Sequence, residues 1–313
     1  MRYLILLFGV LGSAIAGTAA AAVPGKPTPG GMGFQTPVTD LARDAFGFHD
    51  TWLLWMCIII TLFVLALLIY VMVRFRAKAN PVPSKTTHNA FIEVVWTLVP
   101  VVILVLIAAI SFPLLFKFDS APDLQAIASG EITASVEEKA AASAGWVNVK
   151  AQGNQWNWTY SFPDELDADG YPLEFTSSPL HVGLSTDPNV GERFLSVDFP
   201  LVVPVNRYIR YYTAASDVIH SFAMPSFGIK TDAVPGRLNE GWFKVDQTGI
   251  FYGQCSELCG KNHAYMPIEI RVVPQAQYDA WLEMMKRGEF EAAAQRVASV
   301  DALETPIRLA AAN

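Results

Sequence analysis

Residues 253–267 read GQCSELCGKNHAYMP, which places Cys255, Cys259, His263 and Met266 at C-x3-C-x3-H-x2-M spacing. Thiolate, imidazole and thioether are soft or borderline donors, the set that selects copper over magnesium, calcium or manganese. Zinc accepts two Cys and a His, but a thioether is not among its usual ligands. The C-x-x-C-H run that attaches a c-type haem occurs nowhere in the chain. A disulfide between the two Cys is possible in so tight a loop, but it leaves His263 and Met266 without a role. The loop therefore reads as a copper site, and it needs at least one further ligand from elsewhere in the chain.

The elements that must hold this loop follow from composition and periodicity. The chain has 313 residues, enough for two domains, and it is 52% hydrophobic with only 16% charged residues, a balance that points to membrane segments. A formal net charge of −7 argues against a nucleic-acid partner and favours a basic one. Arg2, the apolar run 4–10 and the small residues up to Ala22 form a secretory signal pattern, residues 1–22. Residues 23–50 form an N-terminal segment outside the membrane. Within it a Pro- and Gly-rich lead-in (24–33) is expected to be extended and mobile. A short interfacial helix over 37–48 follows, with Thr36 as N-cap and Pro37 at the first helical position.

Residues 51–73 and 94–116 carry no charge, and each is long enough as a helix, about 33 Å, to cross a bilayer. Cys57 lies inside the first of these runs, where inert packing is its expected role. Arg74, Arg76, Lys78 and Lys85 cluster between the runs, so the connecting loop is cytoplasmic and both flanks lie outside. The pair makes a transmembrane hairpin over 51–118, with Pro100 and Pro113 as possible kinks in its second arm. Glu93 stands at the cytoplasmic end of that arm, a depth at which a carboxylate is either a snorkelling surface charge or the mouth of a proton route. An Ala-rich, mixed-charge linker insert, expected to be partly helical, covers 119–145.

From Trp146 the period changes to two. Trp156, Trp158, Tyr160 and Phe162 alternate with polar residues, and β-favouring runs recur at 194–199, 207–213, 241–245, 250–252 and 268–273. Short strands punctuated by Gly, Pro, Asn and Asp imply an all-β Greek-key sandwich or barrel over 146–274, a rigid scaffold able to present a metal loop. Residues 275–313 are expected to be a C-terminal helix, over about 277–300, and a tail.

Followed outward from the copper loop, the sequence resembles subunit II of the haem–copper cytochrome c oxidases. The segments that carry the resemblance are FHD (48–50), EVVWTLVP (93–100), QWNW (155–158), DVIHSFAMPSFGIKTDAVPGRLN (217–239) and YGQCSELCGKNHAYMPI (252–268). The family's fold is a two-helix transmembrane hairpin followed by a cupredoxin-like Greek-key domain, which agrees with the elements above. The resemblance singles out His220 as the missing ligand. Of the other His, His49 and His88 lie beside the membrane spans, and His181 has no matching context.

The resemblance implies two copper ions bridged by the thiolates of Cys255 and Cys259. His220 and His263 would cap one copper each, with Met266 and the backbone carbonyl of Glu257 as weaker ligands. It further implies that the Glu257 carboxylate reaches a magnesium or manganese ion shared with subunit I, and that Glu93 opens a proton channel completed by subunit I. Trp156 matches the residue through which an electron arrives from cytochrome c, while Asn154 and Asn157 stand where His and Tyr are more usual, and Ser161 replaces a common acid of the docking face. Asp164, Asp198 and Asp217 are candidate docking acids for a basic haem protein. The implied partners are cytochrome c, subunit I and subunit III, and the implied location is a bacterial plasma membrane with the copper domain on the periplasmic side.

The expected function is thus the electron-accepting subunit of an oxidase that reduces oxygen in a partner subunit and pumps protons. Three alternatives stay open at this level. A quinol oxidase subunit II would share the architecture but lack the copper ligands, and both Cys are present here. A nitrous oxide reductase domain carries a similar loop but needs a second catalytic domain and lacks the hairpin. A copper chaperone or thiol redox protein would use C-x3-C, without needing His220, Met266 and Trp156 together.

Overall fold

The computed structural model describes residues 24–28, 30–180 and 192–298; the expected signal, His181 and residues 299–313 lie outside them. The chain divides into two bodies, residues 43–122 and residues 24–42 with 123–298.

The first body holds two long helices, α2 (Leu54–Arg74) and α3 (Ala90–Asp119), both apolar and long enough to cross a membrane. None of their residues is buried, so these apolar faces need lipid or another protein as solvent. A π-helical turn, His49–Leu53, leads into α2 from the preceding helix α1 (Asp40–Phe48). α3 runs through both Pro100 and Pro113. Its N-terminus is closed reciprocally. Asn89 Oδ1 accepts from Ile92 N at 3.2 Å, and Glu93 Oε1 accepts from Asn89 N at 3.2 Å, so two donors that the first turn leaves without helical partners are satisfied.

The second body is a β domain. A five-stranded sheet has the order β3-β2-β1-β5-β8, built from β1 (Trp146–Asn154), β2 (Asn157–Leu166), β3 (Pro172–Ser177), β5 (Tyr208–Ala215) and β8 (Asn239–Lys244). A second sheet has the order β4-β10-β9, from β4 (Leu201–Pro204), β9 (Gly249–Gln254) and β10 (Pro267–Val273). A two-stranded ribbon joins β6 (His220–Met224) to β7 (Ile229–Ala233). Two pairings are parallel, β1 with β5 (Trp146 opposite Tyr208) and β10 with β4 (Ile270 opposite Leu201), and the others are antiparallel. This is the cupredoxin-like arrangement.

Alternation on β2 buries Trp158, Tyr160 and Phe162 while Asn157, Thr159 and Ser161 stay partly exposed. Trp158 meets Phe222 edge-on at 5.4 Å, and Phe227 meets Phe243 and Phe251 at 5.0 and 5.2 Å. Each such side chain contributes on the order of 2–3 kcal/mol by burial.

Several local expectations are corrected. The helix cap is Thr39, not Thr36: its Oγ1 accepts from Ala42 N at 3.0 Å and donates to Phe227 O at 2.8 Å, and the residue is fully buried. The hydroxyl thus links the residue ahead of the helix to the turn between β6 and β7 as well as starting the helix. Thr39→Ala is expected to cost about 1–2 kcal/mol and Thr36→Ala close to nothing. Thermal denaturation of the solubilised chain distinguishes them, and equal melting temperatures would contradict the assignment.

The lead-in is not free. Tyr252 N donates to Gly25 O at 3.0 Å and Lys26 pairs with Glu192 at 3.2 Å, so residues 24–26 cover the outer edge of β9. Residues 194–199 form no strand. Phe194 has φ 65°, and Glu192 O accepts from Leu195 N and Ser196 N in a turn, leaving one bridge between Val197 and Pro179.

The Ala-rich insert is ordered as two short helices, α4 (Leu124–Ser129) and α5 (Val136–Ser143), capped by Asp123 and by a Ser135–Glu138 capping box. Leu124, Ile127, Ala141 and Ala142 are buried. The C-terminal region is two helices rather than one, α6 (Gln275–Lys286) and α7 (Phe290–Ala298), because Gly288 takes φ +75° and closes α6 with its N–H on Met285 O. Trp281 of α6 inserts beside Phe162 and Phe175.

Candidate metal centre

β9 delivers Cys255 one residue past its end, and β10 begins one residue after Met266. The loop between is pinned at both mouths. Cys255 N donates to Met266 O at 3.0 Å, and Ser256 N donates to Ser221 O at 3.1 Å, which brings the loop against the first residues of β6. His220, the first residue of β6, thereby faces Cys255.

The donors converge. Cys255 Sγ lies 3.8 Å from Cys259 Sγ, 3.9 Å from His220 Nδ1 and 3.3 Å from the Glu257 carbonyl oxygen. Cys259 Sγ lies 3.6 Å from His263 Nδ1 and 4.0 Å from Met266 Sδ. Both thiols are free. A sulfur pair 3.8 Å apart leaves room for ions at ordinary metal–thiolate distances of about 2.3 Å. His220, Cys255, Cys259 and Met266 are buried, while His263 is half-buried. All six positions singled out by the sequence are therefore brought to one place, and the donor set fits soft metal ions better than hard ones.

Charge in the pocket is uneven. Burial opposes ionisation of Cys255, yet hydrogen bonds from His220 and from the loop outweigh it and lower its pKa to about 6. Burial together with the neighbouring Cys255 charge pushes Cys259 up to about 12. Burial would lower His220, but its contacts with Cys255 and Asp217 win and raise it.

Around the donors sits a layer the sequence did not reveal. Asp217 Oδ1 receives a hydrogen bond from His220 Nε2 at 2.8 Å and one from Val218 N at 2.6 Å, and Asp217 Oδ2 receives Gln155 N at 2.7 Å. Gln155 Nε2 and Trp156 Nε1 both donate to Cys259 O, at 2.8 and 3.1 Å. The tip of the β1–β2 hairpin is thus fastened to both halves of the site. β1 passes so close to the imidazole that a Cβ at Gly153 would stand 2.8 Å from the ring. The spacing Asp-x-x-His, three residues apart at the start of a strand, is the one available signal for Asp217, since short polar side chains reach back over such turns.

Other sequence-predicted residues are placed as follows. Trp156 is half-buried, one hydrogen bond from a metal-loop carbonyl, with Lys261 Nζ 5.9 Å from its ring centroid. It borders a cleft of about 620 Å³ with Ser178, Pro179, Phe194, Asn262 and Tyr265. Glu257 points its carbonyl at Cys255 and leaves its side chain exposed. Glu93 is half-buried, its carboxylate engaged as a helix cap. Asp198 Oδ1 accepts from Ser178 N and Phe199 N, both at 2.7 Å. Asp164 accepts from Asn148 and lies seven residues along β2 from the hairpin tip, roughly 23 Å away at strand rise.

A cupredoxin-like domain following two membrane-spanning helices, with two thiols, two imidazoles and a thioether gathered at one end of its sheets, defines the class of membrane-anchored electron-transfer metalloproteins. Within that class the chain belongs to the cytochrome c oxidase subunit II family. The family model for the periplasmic domain of cytochrome c oxidase subunit II matches residues 147–273, and that for its transmembrane domain matches residues 27–114. A probable cytochrome c oxidase subunit 2 of Rickettsia bellii is 41% identical over 260 residues, covering 82% of this chain and 85% of that protein. Cytochrome c oxidase subunit 2 of Cereibacter sphaeroides is 39% identical over 297 residues, covering 88% and 89%. The crystal structure of the periplasmic domain of subunit II of the Bradyrhizobium japonicum cytochrome oxidase is 49% identical, covers 46% of this chain and 95% of that one, and has a TM-score of 0.41. The family is a two-span membrane component of an oxidoreductase complex, with its soluble domain C-terminal to the spans.

Proposed function

We infer that this chain is the electron-accepting subunit of a cytochrome c oxidase, and that His220, Cys255, Cys259, His263, Met266 and the carbonyl of Glu257 hold a pair of copper ions. The observation that carries this reading is the pairing of donors. Each imidazole Nδ1 approaches a different sulfur, at 3.9 and 3.6 Å, while the two sulfurs face each other at 3.8 Å. When bound, the copper pair supplies a one-electron acceptor and donor with the charge shared between its metals. The protein's part is to keep that site rigid and dry. Burial of four donors excludes water, the doubly pinned loop limits rearrangement, and the thiols would release their protons to solvent on binding metal. A copper carrier that hands its ion on would need these donors accessible, so their burial favours a resident site over the chaperone alternative.

Electrons from cytochrome c are proposed to arrive at Trp156, whose indole N–H reaches the backbone of the ligand Cys259. The Glu257 carboxylate, exposed on the loop, would complete a magnesium or manganese site with subunit I, since one carboxylate cannot hold such an ion alone. Glu93 would serve proton uptake for subunit I. Asp198 is the best placed of the docking acids, next to Ser178 at the rim of the Trp156 cleft. Subunit III and a cleaved signal over residues 1–22 complete the proposed assembly.

Trp156→Ala in the assembled oxidase tests this reading. Copper content is expected to stay, while electron uptake from reduced cytochrome c falls by about tenfold or more, the scale of losing an outer partner of a metal ligand. Uptake at the wild-type rate with copper retained would remove Trp156 from the path.

A further inference from the structure

We propose that Asn154 is a positioning residue for electron entry, bracing the hairpin tip so that the indole N–H of Trp156 stays on the backbone of Cys259. This rests on the reading of Trp156 as the entry point. Gln155 and Trp156 form a two-residue connection between β1, which ends at Asn154, and β2, which begins at Asn157. Asn154 and Asn157 are its closing pair. The buried row of β1 is Val149, Ala151 and Gly153, so the half-buried Asn154 projects from the opposite face of the strand. Its carboxamide is fully used there. Oδ1 accepts from Ser216 Oγ at 2.6 Å, and Nδ2 donates to Asn157 Oδ1 and to Thr159 Oγ1, both at 3.0 Å. Thr159 keeps its own hydroxyl hydrogen, and Thr176 Oγ1 lies 3.4 Å away. Ser216 is placed in turn by its backbone N–H, which donates to Gly153 O at 3.1 Å. One amide therefore joins the residue after β5, both arms of the hairpin and, through Thr159, β3.

The residue types fit that task. A carboxamide offers two donor hydrogens and an acceptor, whereas a neutral imidazole offers one donor and one acceptor. The His more usual at this position could therefore keep only part of the brace. None of Asn154, Asn157, Thr159, Thr176 and Ser216 is charged, so the network offers a basic haem protein nothing to steer by. Its bonds run to this chain's own strands, and the one reactive group it holds in place is the indole, whose Nε1 lies 3.1 Å from Cys259 O.

The test is Asn154→Ala in the assembled oxidase, read by stopped-flow reduction over a range of cytochrome c concentrations. The limiting rate of electron uptake is expected to fall about tenfold, since a misplacement of about 1 Å in a reacting geometry can cost about 100-fold. The half-saturating cytochrome c concentration, its salt dependence and the copper spectrum should stay those of the wild type. A raised half-saturating concentration at an unchanged limiting rate would overturn the proposal and make Asn154 a docking contact. No change in either would overturn it too. In a Trp156→Ala background Asn154→Ala should cost nothing more, and a further tenfold loss there would overturn the action through the indole. If Asn154→Ala does not assemble, Ser216→Ala carries the test, because it removes one exposed hydroxyl and leaves the hairpin's closing pair intact. It should show the same split, and a wild-type limiting rate would overturn the proposal. Wild-type uptake by Trp156→Ala would sink the entry reading and this proposal with it, whereas a slowed Trp156→Ala beside a wild-type Asn154→Ala would overturn the proposal alone.

Discussion

Cys259→Ser is expected to abolish the binuclear centre: copper per chain falls from two to one or none, and electron uptake from cytochrome c drops below about 1% of wild type. That loss exceeds the roughly 10–100-fold cost of removing an outer partner because a ligand itself is gone. Serine is close to isosteric, but its oxygen is a hard donor and its hydroxyl does not ionise near neutral pH, so it cannot bridge soft metal ions. Cys259 Sγ also lies 3.6 Å from His263 Nδ1 and 4.0 Å from Met266 Sδ, so its removal takes a partner from two further donors. Cys255→Ser should behave alike, stranding His220 and the Glu257 carbonyl. Metal analysis and stopped-flow reduction of the purified oxidase measure both effects. Two coppers and normal uptake in either variant would contradict the bridging assignment.

Gly253→Ala is expected to destabilise the domain by about 3 kcal/mol or more, the upper end of overpacking costs, which corresponds to roughly 6–12 °C in melting temperature for a domain of this size. A Cβ at position 253 would stand 2.0 Å from the carbonyl oxygen of Ala223 and 2.5 Å from Met224 Sδ. Backbone, not a flexible side-chain end, is the obstacle. β6 cannot retreat either, because all five of its residues are buried and paired with β7. Any shift would move His220 at the head of β6 and Cys255 at the end of β9 together, so metal retention should fall with stability. Gly33→Ala, where an added Cβ meets nothing within 4 Å, is the control and should melt with the wild type. Equal melting of both variants would contradict the close crossing of β6 and β9.

What could be read from the sequence was whatever rests on residue type and local period. The soft-donor loop was legible because Cys, His and Met seldom share fifteen residues without a metal, and α2 and α3 because long uncharged runs have few other homes. Strand alternation exposed the inward row Trp158, Tyr160 and Phe162. Tertiary partners were not legible. Thr36 and Thr39 are equal as caps by type, and only the carbonyl of Phe227, 188 residues away, decides between them. Asp217 looked like any surface acid until the buried imidazole and Gln155 were placed around it. The lead-in near Gly25 has a composition that favours mobility, but the open edge of β9 supplies it with a partner. Residues 194–199 have the side chains of a strand, but a positive φ at Phe194 turns the chain away from any ladder. Glu93 shows the same limit from another side, since its carboxylate closes a helix end whatever further role it has.

The account's central claim is that two sulfurs, two imidazoles and a thioether hold a metal pair outside the membrane. Copper quantitation with electron-spin resonance on the purified subunit, in complex, tests it most directly. The prediction is two coppers per chain sharing one unpaired electron equally between them. A mononuclear copper signal, or no copper in a complex that still takes electrons from cytochrome c, would contradict it.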